Sequence, residues 1–325
     1  MTSLLRSQRH DAVRLLLRPV PPFRLDLTVW ALRRRPRNQI DRWDGTTYRR
    51  VVVVGGRPTE LAVTQEGTTA APELIVEATP QLRTPIEEAE VRSIVDRLLG
   101  LQISLDDWYV TSTRDSRLRL LADKFRGVKP PRFPTVFEAV VNGFACQQLS
   151  LEVGLALLNR LASMSSARVG TSADTFHPFP TARAVALLQP EQYRAIGFSR
   201  QKAAAIHELA DAVARGRLDL ELLAHEDDAE AARCLTDLRG VGRWTAEYVL
   251  LRGLGRLHVF PGDDVGAQKG LALWLGLPRP MNYEDVAQAV RRWQPYAGFV
   301  YLHLLLEGLS QAGTLTPEPR STLRS

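Results

Sequence analysis

The chain has 325 residues, 45% apolar and 24% charged, which is ordinary globular usage, excludes a largely disordered polymer and favours about two domains. The formal charge of +6 is uneven: residues 1–50 carry twelve Arg against four Asp, and the remainder nearly cancels. A basic excess suits polyanionic partners such as nucleic acid, or serves solubility alone. No run of about 18 apolar residues, no secretory signal and only two cysteines, Cys146 and Cys234, argue against a membrane span, secretion, a disulfide framework or a four-thiolate metal site.

Residues 1–20 are polar and Arg-rich with one apolar cluster, Leu15 to Leu17, and read as a frayed tail or a short helix. After Pro21-Pro22 the pattern alternates: Phe23, Leu25, Leu27 and Val29 against Arg24, Asp26 and Thr28, the period of a strand. Asp44-Gly45 is a turn signal, and extended patterns follow at Tyr48 to Val54, Glu60 to Gln65 and Leu74 to Ala78. Ile86 to Leu99 reads as an amphipathic helix, with Ile86, Ala89, Val91, Ile94, Val95, Leu98 and Leu99 on its apolar side. Residues 21–103 are therefore expected to form a small antiparallel sheet with at least one helix.

Beyond that point the strand patterns stop. Helical periods recur at about 104–126, 134–146, 149–164, 180–188, 190–195, 201–215, 227–237, 244–254, 263–275, 283–293 and 296–310, separated by Pro/Gly connectors. The fold class is accordingly α+β, with an all-α array over 104–313. The final stretch, 314–325, with Pro317 and Pro319 among Ser and Thr, reads as a loose tail. No internal repeat stands out.

The most informative segment is Leu238-Arg239-Gly240-Val241-Gly242-Arg243-Trp244-Thr245-Ala246. Two glycines flanking one apolar residue let the backbone turn tightly and expose successive N–H groups, and the next helix begins there. Its positive end and free amides make a phosphate site independent of base sequence. A plain helix–turn–helix corner with a glycine cap is the bland alternative. About 20 residues on comes Val259-Phe260-Pro261-Gly262-Asp263-Asp264-Val265. Asp264 stands where a helix cap is expected, and capping alone accounts for an Asp there.

The hairpin run resembles the helix-hairpin-helix of the base-excision DNA glycosylase superfamily, in which a Gly/Pro-rich loop follows and ends in a catalytic Asp. The resemblance covers most of the chain and is strongest to bacterial DNA-3-methyladenine glycosylases of type II. It extends through Phe125 to Arg132 and the Gln147-Gln148-Leu149-Ser150 turn. It continues through Gly197 to Ala203 and Trp293-Gln294-Pro295-Tyr296 with His303.

The resemblance implies a monofunctional glycosylase that flips alkylated bases of the 3-methyladenine and 7-methylguanine type from duplex DNA and hydrolyses the glycosidic bond. It would leave an abasic site. Asp264 would be the catalytic carboxylate, stabilising positive charge on the sugar, with Asp263 as fallback. Trp244 stands where strand-cleaving relatives carry a Schiff-base Lys. Gln148 and Leu149 would meet DNA, Leu149 as an apolar wedge or else as a core side chain. Gly240, Val241, Gly242, Arg243 and Thr245 would bind the backbone.

Trp244 and Tyr248, one turn apart, would floor the base pocket or simply pack in the core. Leu305 and Val265 stand there in place of aromatic residues, which points to an altered lesion range. His303 and Cys146 read as structural. No metal or cofactor is expected. The expected partner is damaged duplex DNA, with no membrane, for a monomer in the bacterial cytoplasm and nucleoid. A same-fold glycosylase for deaminated or oxidised bases, or an inactive DNA-binding damage sensor, are the alternatives.

Overall fold

Five antiparallel strands form one sheet at the amino-terminal end of the computed structural model, which describes residues 13–171 and 174–315. The strands are β1 (Val13–Leu17), β2 (Arg42–Trp43), β3 (Thr47–Val54), β4 (Arg57–Thr68) and β5 (Ala71–Thr79), in the spatial order β1-β5-β4-β3-β2. One row of the register runs Leu15, Val76, Val63, Tyr48 across four strands, all buried. Residues 13–17 are thus an edge strand and not a tail or short helix. Their alternate side chains find a partner only in β5, which no local pattern reveals.

The segment read as a strand from Phe23 is instead helix α1 (Leu25–Arg33). The misreading has a physical cause: α1 is buried on several sides. Leu25, Val29 and Leu32 join the core under the sheet, while Leu27 and Ala31 join a second core among the helices. A helix buried all round loses its single apolar stripe, and what remained mimicked alternation. Helix α2 (Pro85–Leu99) closes the sheet's core with Val91, Val95, Leu98 and Leu99, but Ile86 and Ala89 face outward, exposed.

The helical part follows: α3 (Asp106–Ser112), α4 (Ser116–Lys124), α5 (Val136–Cys146) and α6 (Leu151–Ser163), then α7 (Ala182–Ala186), α8 (Pro190–Ala195) and α9 (Arg200–Ala214). After a 3₁₀ turn at Leu220–His225 come α10 (Asp228–Thr236), α11 (Arg243–Arg252), α12 (Val265–Leu275), α13 (Tyr283–Val290) and α14 (Ala297–Gln311). Strands do not stop at residue 103: β6 (Val169–Thr171) and β7 (Asp174–Phe176) pair as a short hairpin. The Arg42 guanidinium lies over the Phe176 ring at 3.5 Å, so contact with the sheet stabilises two strands too short to signal themselves. Among the described residues no helix is long and apolar enough to cross a membrane.

Sheet and helices are joined by buried charge. Arg50 of β3 reaches Asp41 at 2.7 Å and both oxygens of Glu138 on α5 at 2.6 and 2.7 Å, and the Tyr48 hydroxyl donates to the same Asp41 oxygen at 2.8 Å. Arg252 of α11 donates to the Ala31 carbonyl on α1 at 2.9 Å. These bonds tie α5 and α11, two of the helices that carry the candidate site, to the amino-terminal layer.

Candidate active site

The turn between α10 and α11 is shaped by its glycines. Gly240 has φ +81°, and a side chain there would press on Ala205 and Phe144. Gly242 caps α11, and a Cβ there would meet open space, so the amides beside it are approachable from outside. Val241 is buried and anchors the turn in the core. Its side chain is therefore structural, and only its backbone is available to a ligand. Thr245 departs further from expectation. It is fully buried, its methyl faces Gly143 of α5, and its hydroxyl accepts from Gln147.

Gln147 also donates to the Gly240 carbonyl at 2.9 Å, and Lys202 of α9 donates to the Gln147 carbonyl at 2.6 Å. The α5–α6 turn is thereby bonded to the hairpin. Gln148 at its tip has φ +54°, and Leu149 is 43% exposed. An apolar side chain held outward beside the hairpin turn is not a core residue.

Trp244 and Tyr248 share a face of α11, but they stack on each other, centroids 5.4 Å apart at 21°. Tyr248 is only 2% exposed and Trp244 is half-buried. The more exposed ring is thus Trp244, with Tyr248 as the layer behind it. Behind Tyr248 stands a residue that sequence reasoning missed. Arg34, the buried C-cap of α1, donates to the Tyr248 hydroxyl at 2.9 Å and to Oδ1 of Asn142 at 2.6 Å. It lies 214 positions away in the chain, and no local signal marks it.

Asp264 caps α12, its Oδ1 accepting the Ala267 N–H at 2.9 Å. Capping is not its whole role. Its Oδ2 accepts from Trp244 Nε1 and from the Tyr301 hydroxyl, both at 3.2 Å. Burial, reinforced by the nearby Asp264, holds the Tyr301 phenol well above its ordinary value, so it stays a donor. Asp263 points elsewhere, onto Arg243.

The loop before Asp264 is braced from α11 as well. Glu247 accepts the Gly262 N–H at 2.9 Å and the Tyr283 hydroxyl at 2.7 Å, and burial pushes its carboxyl upward. Tyr301 is the second residue missed, one helical turn before Leu305 on α14. Leu305 itself is half-buried in the core around α12 and α14, and Tyr301 supplies an aromatic ring one turn away that the expected loss of aromatic surface did not foresee. Val265 is 59% exposed at the start of α12. His303 is fully buried against Trp108 and Phe299, and burial raises the Cys146 thiol above its usual range.

The site therefore unites, on one side of the helical array, an amide-lined hairpin, an outward apolar tip, an indole platform and a carboxylate held by three donors. That combination defines a helix-hairpin-helix protein with a carboxylate beside its hairpin. Residues 141–295 match the family model described as HhH-GPD superfamily base excision DNA repair protein, and this stretch is an HhH-GPD superfamily domain.

The chain is similar to the DNA-3-methyladenine glycosylase of Bacillus subtilis strain 168, 27% identical over 227 residues, 68% of this chain and 75% of that one. It is also similar to DNA-3-methyladenine glycosylase 2 of Escherichia coli strain K12, 27% identical over 178 residues, 55% of this chain and 60% of that one. The solved 3-methyladenine DNA-glycosylase from Archaeoglobus fulgidus superposes with a TM-score of 0.79 at 26% identity, covering 93% of this chain and all of that one.

Proposed function

We propose that the chain is a monofunctional DNA glycosylase that flips alkylated bases of the 3-methyladenine and 7-methylguanine type out of duplex DNA. It hydrolyses their N-glycosidic bonds and leaves an abasic site. The observation that carries this reading is the placement of Asp264, within hydrogen-bond reach of the Trp244 edge and in a loop braced against the hairpin helix.

Cleavage of the glycosidic bond develops positive charge on the sugar. A carboxylate held by the Ala267 amide, the Trp244 indole and the Tyr301 hydroxyl needs no reorganisation when that charge appears. The hairpin amides beside Gly242 take a backbone phosphate, Leu149 fills the gap left in the stack, and Trp244 stacks on the extruded base. An indole cannot form a Schiff base with the opened sugar, which supports hydrolysis without strand cleavage. Relatives named for 3-methyladenine support alkylated bases as the substrate class.

Asp264→Asn tests the reading, because it keeps size and removes charge. A carboxylate near DNA phosphates does not help ground-state binding, so its stabilisation belongs to the transition state. Single-turnover excision from a duplex with one defined lesion should fall at least about 100-fold, with lesion-DNA affinity within a few fold of the parent. Asp263→Asn should have the smaller effect on excision. Near-parental excision by Asp264→Asn would remove the proposed mechanism.

A further inference from the structure

Arg243 is the first residue of α11, beside the open amides of Gly242, where a backbone phosphate would arrive. Its guanidinium is already occupied. Nε donates to Oδ2 of Asp263 at 2.7 Å and Nη2 to Oδ1 at 3.0 Å. This is the two-pronged contact by which arginine holds either a carboxylate or a phosphate. The fork is also fixed from behind. The guanidinium lies 3.7 Å from the centre of the Tyr283 ring, and that ring is anchored through its hydroxyl to Glu247. Both partners of the ion pair reach solvent, with side chains 54% and 32% exposed. Pairs of that exposure are weak and readily exchanged.

We propose that Asp263 is an internal stand-in for a DNA phosphate. It occupies Arg243 in the free protein and yields the fork to a phosphodiester when duplex DNA seats on the hairpin, so it weakens binding to DNA in general. The proposal rests on the reading of the hairpin as a DNA-backbone site. Before displacement, Arg243 is unavailable to phosphate. After displacement, Asp263 is left unpaired on a face crowded with like charge. Both effects lower affinity without touching base recognition. They also account for a carboxylate that sits next to Asp264 and points away from Trp244 and Tyr301.

Equilibrium titration of an undamaged duplex distinguishes this exchange from simple long-range repulsion. The parent, Asp263→Asn, Arg243→Gln and the double variant are compared at several salt concentrations. Asp263→Asn should tighten binding about two- to fivefold, the range expected from freeing a pair of this exposure. In the Arg243→Gln background the same change should give a clearly smaller gain, because there is no fork to free and only the repulsion of the unpaired carboxylate is left to remove. Asp263→Ser should repeat the gain if the lost charge, and not a feature of Asn, is responsible.

A gain that persists undiminished without Arg243 would overturn the proposal in favour of plain repulsion. No gain in the parent background would overturn it outright while salt-dependent binding by the parent leaves the DNA reading standing. Absence of salt-dependent duplex binding in the parent itself would sink the DNA reading, and the proposal with it.

Discussion

Acidification should destabilise this protein through one buried imidazole. His303 on α14 is 1% exposed, with ring centroids 4.8 Å from Trp108 and 4.6 Å from Phe299, and its Nδ1 lies 2.9 Å from the Phe299 carbonyl oxygen. Burial pushes its pKa down from 6.5 to about 4, and the carbonyl offsets only part of that. The unfolded chain takes up this proton near pH 6.5, the folded chain only near 4. Stability from this residue is therefore complete above the unfolded value, falls as pH drops through the window, and levels off below about 4. At 1.36 kcal/mol for each pH unit between the two values, the loss is about 3 kcal/mol, a large share of a typical domain's stability.

Urea titrations of the parent and of His303→Leu from about pH 7.5 to about pH 4 isolate the effect, because every other titrating group is common to both. The stability difference between the two proteins should shift by about 3 kcal/mol across that range, in favour of the variant at low pH. A difference flat to within about 0.5 kcal/mol would refute the assignment of His303 as a neutral core residue.

Three further outcomes follow from contacts already described. Tyr301→Phe keeps the ring but removes one donor to Asp264, and single-turnover excision should slow about tenfold or more with lesion affinity unchanged; an unaltered rate would show that this bond does not orient the carboxylate. Arg50→Met leaves Asp41 and Glu138 buried without their cation and should cost about 3–5 kcal/mol by chemical denaturation, whereas an exposed pair would cost far less. Gly143→Ala places a methyl 2.7 Å from the Thr245 Cγ2 and should lower stability by about 1–3 kcal/mol. Adding Thr245→Ser should restore most of that loss in thermal melts, since it deletes the clashing methyl.

What could be read in advance was what local chemistry determines. The Gly240–Gly242 turn, the outward Leu149 and the Asp264 loop announced themselves because a hairpin, a tip and a cap are each short-range devices. β3, β4 and β5 were legible because one face of each is buried and the pleat enforces alternation. Helix α1 was not, because burial on both sides erased its stripe. β1 was hidden by arginines that a solvent-facing edge tolerates. Arg34 and Tyr301 join the site through packing between elements remote in sequence, which no window along the chain can see. Trp244 and Tyr248 were rightly placed on one face, but their spacing could not tell that the second ring lies behind the first. Thr245 read as a surface residue of the hairpin only because Gly143, which makes room for it, is far away in the chain.

Helix α1 has a consequence for how such a protein can vary. Its two flanks touch the sheet and the helices at once, its Ala31 carbonyl receives Arg252, and Arg34 just past its end props Tyr248 behind the indole. The stretch matched to the repair family begins at residue 141, so this prop lies outside it. Exchanging the first 40 residues with those of a relative would import a different support behind Tyr248 and Trp244, even with every residue of the hairpin and its loop retained. The amino-terminal layer is a place where the proposed stacking face could shift while the hairpin and its loop stand still.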